Sequence, residues 1–374
     1  MGIFLSGGID SSLITAIASE ISSKRINTFS IGYVEKQYDE SVYADRISHY
    51  FKTNHHKELV SSSDLLNVIP NISEIYDEPF ADSSQIPTYL LCKLAKEKAT
   101  VCLTGDGADE LFGGYNRYKQ ANIFNKTSNA KRNFYRFFFN TISPDFFNFL
   151  YKNLGFILPK RYKTALPKEH FYKLSKILLI SDQFMIYKNL ISQLSAEDKY
   201  LNNDINEDLI KSYWKKNDCF KTFEDRMMAI DCQFYLPNDI LTKVDRASMS
   251  NSLETRCPYL DKNLVEFIMT LDSKMKIGEG KDGKIILKKI LSEYIPDSYF
   301  DRPKMGFGVP IDIWLKGPLR EWAEDLLLGN RIKQDGIFNF QFIQKKWYEY
   351  LNNKGNWHHQ LWSILIFQSW LINQ

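Results

Sequence analysis

Ser6-Gly7-Gly8-Ile9-Asp10-Ser11-Ser12 follows a short apolar run, Ile3-Phe4-Leu5, and leads directly into a helical repeat. Ile9, Leu13, Ala16, Ile17 and Ile21 share one face at 3.6-residue spacing. The pattern predicts a strand, a glycine–serine turn and a helix in immediate succession. Two glycines let the backbone approach a ligand closely. The free N–H groups and the dipole of the helix start favour an anion in the turn. Three serine hydroxyls add donors. Asp10 conflicts with an anion unless a metal ion bridges the two, and a polyphosphate carried with Mg²⁺ resolves the conflict. The plainer alternative is a serine–glycine turn that merely caps a helix.

The turn is not of the Walker type, which needs a lysine followed by Ser or Thr after its second glycine. It resembles the pyrophosphate-binding loop of the ATP pyrophosphatases. That resemblance implies cleavage of ATP between the α and β phosphates, adenylation of a substrate and release of pyrophosphate.

With 374 residues the chain has room for two or three cores of ordinary size. Its 48 basic and 45 acidic residues leave a net charge of +3, too balanced for a general nucleic-acid footprint. The cysteines (Cys92, Cys102, Cys219, Cys232 and Cys257) are odd in number and show no CxxC pair. This argues against a zinc ribbon or a disulfide framework and suits a reducing compartment. No basic, apolar leader is visible at the start. The apolar tract from Leu361 to Leu371 is interrupted by Ser and Gln and is too short to span a bilayer. A cytoplasmic protein without membrane or nucleic-acid partners is the expectation.

Residues 1–115 alternate strand and helix signals. Thr28–Gly32, His55–Val60 and Thr100–Thr104 read as further strands. Helix faces are marked by Tyr43, Ala44, Ile47, Tyr50 and Phe51, by Leu65, Leu66, Ile69 and Ile72, and by the stretch Gln85–Lys98. The expected fold class is α/β, a doubly wound parallel sheet, with ligands at the carboxyl ends of its strands. Residues 116–215 are rich in Phe, Tyr, Asn and Lys and are predicted to form a helical insertion. Its run Phe134–Phe139 reads as packing in preference to membrane contact. From 220 onward the segments read as helical, ending in an aromatic helix near Trp357–Trp370. The division is therefore 1–115, 116–215 and 216–374.

A second turn, Thr104-Gly105-Asp106-Gly107-Ala108-Asp109-Glu110-Leu111-Phe112-Gly113-Gly114-Tyr115, follows the Cys102 strand. Asp106, Asp109 and Glu110 repel one another unless a cation is near, and Mg²⁺ with phosphate oxygens suits them. An EF-hand loop is disfavoured, because its twelfth position, counted from Asp106, is Arg117. An acidic helix start is the alternative.

Four motifs in this order resemble the synthetase domain of glutamine-dependent asparagine synthetases. They are the two turns, the segment Leu241–Met249 with Ser252–Asp261, and Arg302–Pro310. The resemblance runs over nearly the whole chain and implies the fold of the ATP pyrophosphatases. It also implies amide formation through an adenylated carboxylate, with ATP and Mg²⁺ as cofactors and aspartate, or a similar acid, and ammonia as substrates. On that basis Ser6, Gly7, Gly8, Asp10, Ser11 and Ser12 cradle pyrophosphate, and Asp10 and Asp109 bind the metal. Leu5, Ile31, Thr104 and Gly105 lie at the nucleotide. Asp106, Glu110 and Lys284 act in the chemistry, and Arg246, Glu254 and Arg256 build the substrate end. Glu254 and Arg256 are equally readable as a structural ion pair. A homodimer is left open.

Gly278–Lys284 satisfies both GxGxxG and GxxxxGK, but the residues before it are polar and Ile285 follows the lysine, so neither nucleotide motif applies. It fits instead the family's Lys-x-x-Leu-Arg pattern, with Lys288 in place of Arg, which implies that Lys284 stabilises charge on the α-phosphate. Lys304–Pro310 reads as a lid or as a tight loop. His55-His56 suggests a metal pair, but strand neighbours face opposite ways, which favours a structural role for at least one of them.

The chain departs from the family at its start. Gly2 follows Met1 and no cysteine precedes Cys92, so the expectation is a chain without the family's glutaminase domain and its N-terminal cysteine. Free ammonia or a separate glutaminase subunit is therefore the expected nitrogen source. A related ligase for a sugar acid, peptide or β-amino acid, a non-catalytic remnant and an RNA-modifying enzyme are the rivals.

Overall fold

The computed structural model describes residues 1–35, 39–61, 64, 67–125 (backbone only for 121–125), 180–193, 199–202, 209–220, 222–278, 283–302 and 309–374. Five parallel strands form a single sheet: β1 (Gly2–Phe4), β2 (Asn27–Tyr33), β3 (Asn54–Val60), β4 (Val101–Leu103) and β5 (Glu254–Arg256). Their order is β3-β2-β1-β4-β5. The chain winds outward from β1 to β3 and then crosses back to place β4 on the other side of β1. The turns after β1 and β4 therefore leave a crevice at the switch point, where doubly wound sheets bind ligands. The helices that bear on this crevice are α1 (Ile9–Ile21), α2 (Ser41–Tyr50), α3 (Gln85–Lys96), α4 (Ala108–Phe112), α5 (Thr242–Met249) and α6 (Ile285–Tyr294).

Strand alternation sorts the core onto two faces. Ile3 and Leu5 pack with Leu13 and Ala16 of α1, Ala44 and Ile47 of α2, and Leu287 and Leu291 of α6. Phe29, Ile31 and Tyr33 pack on the opposite side with Ile86, Leu90 and Leu91 of α3 and with Trp314, Trp347 and Trp362. Tyr118, Tyr187, Trp214, Phe223 and Met227 form a further cluster. At its centre Asp231 accepts hydrogen bonds from Arg117 Nε (2.9 Å), Tyr118 (2.5 Å) and Tyr187 (2.7 Å). Among the described residues no helix is long and apolar enough to cross a membrane.

Two expectations need correction. The region after 220 is not wholly helical, because Glu254–Arg256 is the fifth strand. No apolar run announces it. It is recruited by β4: Glu254 N–H donates to the Thr100 carbonyl (3.0 Å), and the Arg256 carbonyl accepts from Thr104 N–H (2.9 Å). Nor does α1 bury one continuous stripe. Leu13 and Ala16 are buried, but Ile17 and Ile21 are 40% and 79% exposed. With α6 packed along α1, burial gathers over Ser11–Ala16 instead. The C-terminal aromatic helix is His358–Ile372, with Leu361, Trp362 and Leu365 buried. Leu65, Leu66, Phe134–Phe139 and residues 304–308 of the suggested lid lie outside the described residues.

Candidate active site

The turn between β1 and α1 is held by its own serines. Ser6 N–H donates to Ser11 Oγ at 3.2 Å, the Ser6 and Ser11 hydroxyls lie 3.1 Å apart, and Gly8 N–H donates to Ser6 Oγ at 3.3 Å. Gly8 caps α1 without any side-chain hydrogen bond, so no capping side chain occupies the first-turn N–H groups. Gly7 has φ +72°, and a Cβ there would lie 2.5 Å from the Tyr43 main chain. Only glycine allows the turn to lie against α2. Ser12 is fully buried, and its hydroxyl has no hydrogen-bond partner among the described residues.

The turn between β4 and α4 closes the other side of the crevice. Gly107 is left-handed (φ +89°), and a Cβ there would overlap the Leu260 side chain. Asp109 and Glu110 occupy the first turn of α4, where carboxylates are favoured by the helix dipole. Lys284, the first residue before α6, joins the two turns. Its ammonium lies 2.5 Å from Asp10 and 2.7 Å from Asp109. Its N–H also donates to the Phe112 carbonyl at 2.9 Å. Gly114 makes this reach possible, because a Cβ there would overlap both the Asp109 carboxylate and Lys284 Cε.

A cavity of about 740 Å³ opens between the turns, lined by Leu5, Ser6, Gly8, Asp10, Ser11, Ile31, Thr104, Gly105, Asp106, Asp109, Glu110 and Lys284. Twelve positions chosen from sequence thus share one space. Gly7 and Ser12 do not line it, nor do Arg246, Glu254 and Arg256. Arg246 pairs with Asp77 at 2.7 Å, and Arg256 pairs with Glu254, with side chains 69% and 50% exposed. The geometry supports the ion-pair alternative for these two. His55 hydrogen-bonds Thr28 and Ser30, while His56 stacks on Phe29, so both are structural.

The electrostatics are strongly perturbed. Burial works against the charge of Lys284, but Asp10 and Asp109 outweigh it and hold its pKa above the ordinary lysine value. Burial raises the Asp106 carboxyl, opposed by Lys243 and Thr104 and reinforced by Asp109 and Asp10. Burial pushes Glu110 up to about 7, although the Tyr115 hydroxyl donates to it at 2.6 Å.

Lys243 was not singled out from sequence. It lines the cavity from α5 and donates to Asp82 (2.7 Å) and Ser84 (2.9 Å), and its charge reaches Asp106 and Asp239. In the same motif Arg246 points elsewhere, to Asp77. The signal that separates them is the π-helical stretch Asp231–Leu241, which contains Pro237 and leads into α5. Such stretches gather at functional sites, but a π-helix has no reliable sequence mark.

The described residues contain no group of three or more His, Cys, Asp or Glu side chains able to hold a metal by themselves. Asp10 and Asp109 nevertheless converge on one positive charge, and both supply hard oxygen ligands. Two carboxylates completed by phosphate oxygens suit Mg²⁺, so the residues fit that ion.

The sequence model of asparagine synthase matches residues 1–372. The chain belongs to the asparagine synthase family. It is similar to asparagine synthetase [glutamine-hydrolyzing] 1 of Bacillus subtilis, with 28% identity over 372 residues, 99% of this chain and 55% of the relative. A putative asparagine synthetase [glutamine-hydrolyzing] of Mycobacterium tuberculosis H37Rv is 28% identical over 391 residues, covering 99% and 54%. A second putative one, from Methanocaldococcus jannaschii, is 46% identical over 116 residues, covering 31% and 22%. The chain spans about half the length of the curated relatives it matches along its whole extent. Within this asparagine synthase fold the third motif serves the site from behind. Tyr259 donates to the Asp10 carbonyl at 3.0 Å, Leu260 supports Gly107, and Cys257 meets Thr104 at 3.3 Å.

Proposed function

We propose that this chain forms an amide from a carboxylic acid and ammonia with cleavage of ATP to AMP and pyrophosphate, the acid being aspartate and the product asparagine. The convergence of Asp10, Asp109 and Lys284 between the two turns carries this reading, and family membership supports it. In the first step a carboxylate oxygen bonds to the α-phosphorus, the bond to the bridging oxygen breaks, and pyrophosphate leaves. In the second the ammonia nitrogen bonds to the acyl carbon, AMP leaves and a proton is shed.

The Ser6 and Ser11 hydroxyls and the start of α1 receive the pyrophosphate. Leu5, Ile31, Thr104 and Gly105 flank the adenosine. Asp10 and Asp109 would hold Mg²⁺, which when bound offsets phosphate charge. Lys284 stabilises charge at the α-phosphate. Asp106 and Glu110 stand on the acyl side, and Glu110, with its pKa near neutrality, takes up the shed proton. Ammonia is supplied free or by a glutaminase. A nucleotide core at 1–115, a helical insertion at 116–215, a completing part at 216–374 and a cytoplasmic location belong to the same reading.

The test is incubation of the purified chain with ATP, Mg²⁺, aspartate and ammonium, with detection of asparagine and AMP. Exchange of labelled pyrophosphate into ATP, run with aspartate and other acids, reports the first step alone. Exchange with another acid but not with aspartate would reassign the substrate. No exchange with any acid would overturn the reading.

A further inference from the structure

We propose that Lys284 holds the place of a divalent cation between Asp10 and Asp109 and yields it only to a cation that arrives with a nucleotide. The inference rests on the reading of Asp10 and Asp109 as metal ligands.

The ammonium sits within hydrogen-bond distance of both carboxylates, and Lys284 is only 4% exposed. It therefore stands where a cation shared by those two side chains must stand. A buried ammonium cannot simply be expelled, because an unpaired charge in the interior is strongly disfavoured. A divalent cation alone would take both carboxylates and leave Lys284 without an anion. A nucleotide alone would bring its phosphates against two carboxylates while the ammonium between them stays engaged by both. Arriving together, the cation satisfies the carboxylates while the phosphates receive the released ammonium. The lysine stem is flexible enough for such a move, and its backbone stays pinned to Phe112. Cation and nucleotide binding are thereby coupled, and by linkage each strengthens the other. Lys284 is in this respect a positioning residue for the metal, apart from its part at the α-phosphate.

The experiment is titration of the nucleotide-free protein with Mn²⁺, followed by electron paramagnetic resonance. Wild type is compared with Lys284→Met, Lys284→Gln and the double variant Lys284→Met/Asp109→Asn, each checked for folding by circular dichroism. The expected result is that the Met and Gln variants bind Mn²⁺ at least about tenfold tighter than wild type, equivalent to about 1.4 kcal/mol. The double variant loses that gain. Wild type gives a second measurement that does not depend on any variant folding. Mn²⁺ alone leaves its Tm unchanged, whereas Mn²⁺ with α,β-methylene-ATP raises it. Equal Mn²⁺ affinity in wild type and the single variants, or a rise in wild-type Tm with Mn²⁺ alone, overturns the inference and leaves the metal reading standing. No response to Mn²⁺ in any protein, even with the nucleotide analogue, overturns the metal reading and this inference together.

Discussion

The Tyr259 hydroxyl donates to the main-chain carbonyl of Asp10 at 3.0 Å, although the two residues are 249 positions apart. This bond fastens the first turn of α1 to the segment that follows β5. Tyr259 is itself buried and packs edge-on against Phe112 of α4, so one side chain braces both nucleotide turns. Tyr259→Phe keeps the ring and removes the hydrogen bond. We expect a stability loss of about 1 kcal/mol, read by urea denaturation. We also expect a higher KM for ATP in pyrophosphate exchange, because the Asp10 turn is less firmly placed. An unchanged KM would show that the turn needs no such brace.

Lys243 offers a sharper contrast. Its ammonium answers Asp82 and, more distantly, Asp239 and Asp106. Burial pushes the Asp82 carboxyl up, but Lys243 and the Ser84 hydrogen bonds together hold it below the ordinary carboxylate range, whereas Asp239 is pushed up to about 6 by burial and by Asp82. Lys243→Ala leaves those carboxylates without their cation. The expected loss is about 3–5 kcal/mol of stability, together with loss of exchange activity. Adding Asp82→Asn to that variant should return part of the stability. If the double variant is no more stable than Lys243→Ala, the pair is not the origin of the loss.

Glu110 predicts a pH signature. Its carboxyl is raised from 4.5 to about 7 in the folded chain, first by burial. Between those values the native state keeps a proton that the unfolded state has released. Stability from this group is therefore complete below pH 4.5 and falls as pH rises towards 7. Glu110→Gln removes the effect. The variant should gain on wild type across that window by on the order of 3 kcal/mol, then run parallel at higher pH. Denaturant unfolding at a series of pH values checks this, and a wild type that gains on the variant as pH rises would refute it.

Glu254 and Arg256 lie on the outer strand with their side chains in solvent. Exposed pairs of this kind contribute roughly 0–1 kcal/mol. Replacing either by Ala should shift stability by no more than that and leave the KM for aspartate unaltered. A large rise in that KM would restore both residues to the substrate end.

The parts of the site that are contiguous in sequence were readable from it. Ser6–Ser12 and Thr104–Tyr115 each carry their glycines, donors and carboxylates in one short segment, and the strand before each puts both on the same sheet edge. Nine of the site residues in these two segments line one cavity. The places of Arg246, Glu254 and Arg256 outside that cavity were not readable in the same way. Their motif is recognisable, but which of its side chains turns inward depends on the wide π-helical approach to α5 and on strand pairing with β4.

The sequence by itself determined the alternation of strands and helices, the two glycine turns and their acidic and hydroxyl groups, because these follow from local periodicity and backbone freedom. Only the tertiary structure decided that β4 returns to lie beside β1, that Glu254–Arg256 becomes a strand, and that Lys284 reaches between Asp10 and Asp109. Those are contacts between residues some 100 to 270 positions apart, as with Ile3 and Leu103, Thr104 and Cys257, or Lys284 and Asp10. They depend on how the core packs around the sheet, and no local propensity encodes them.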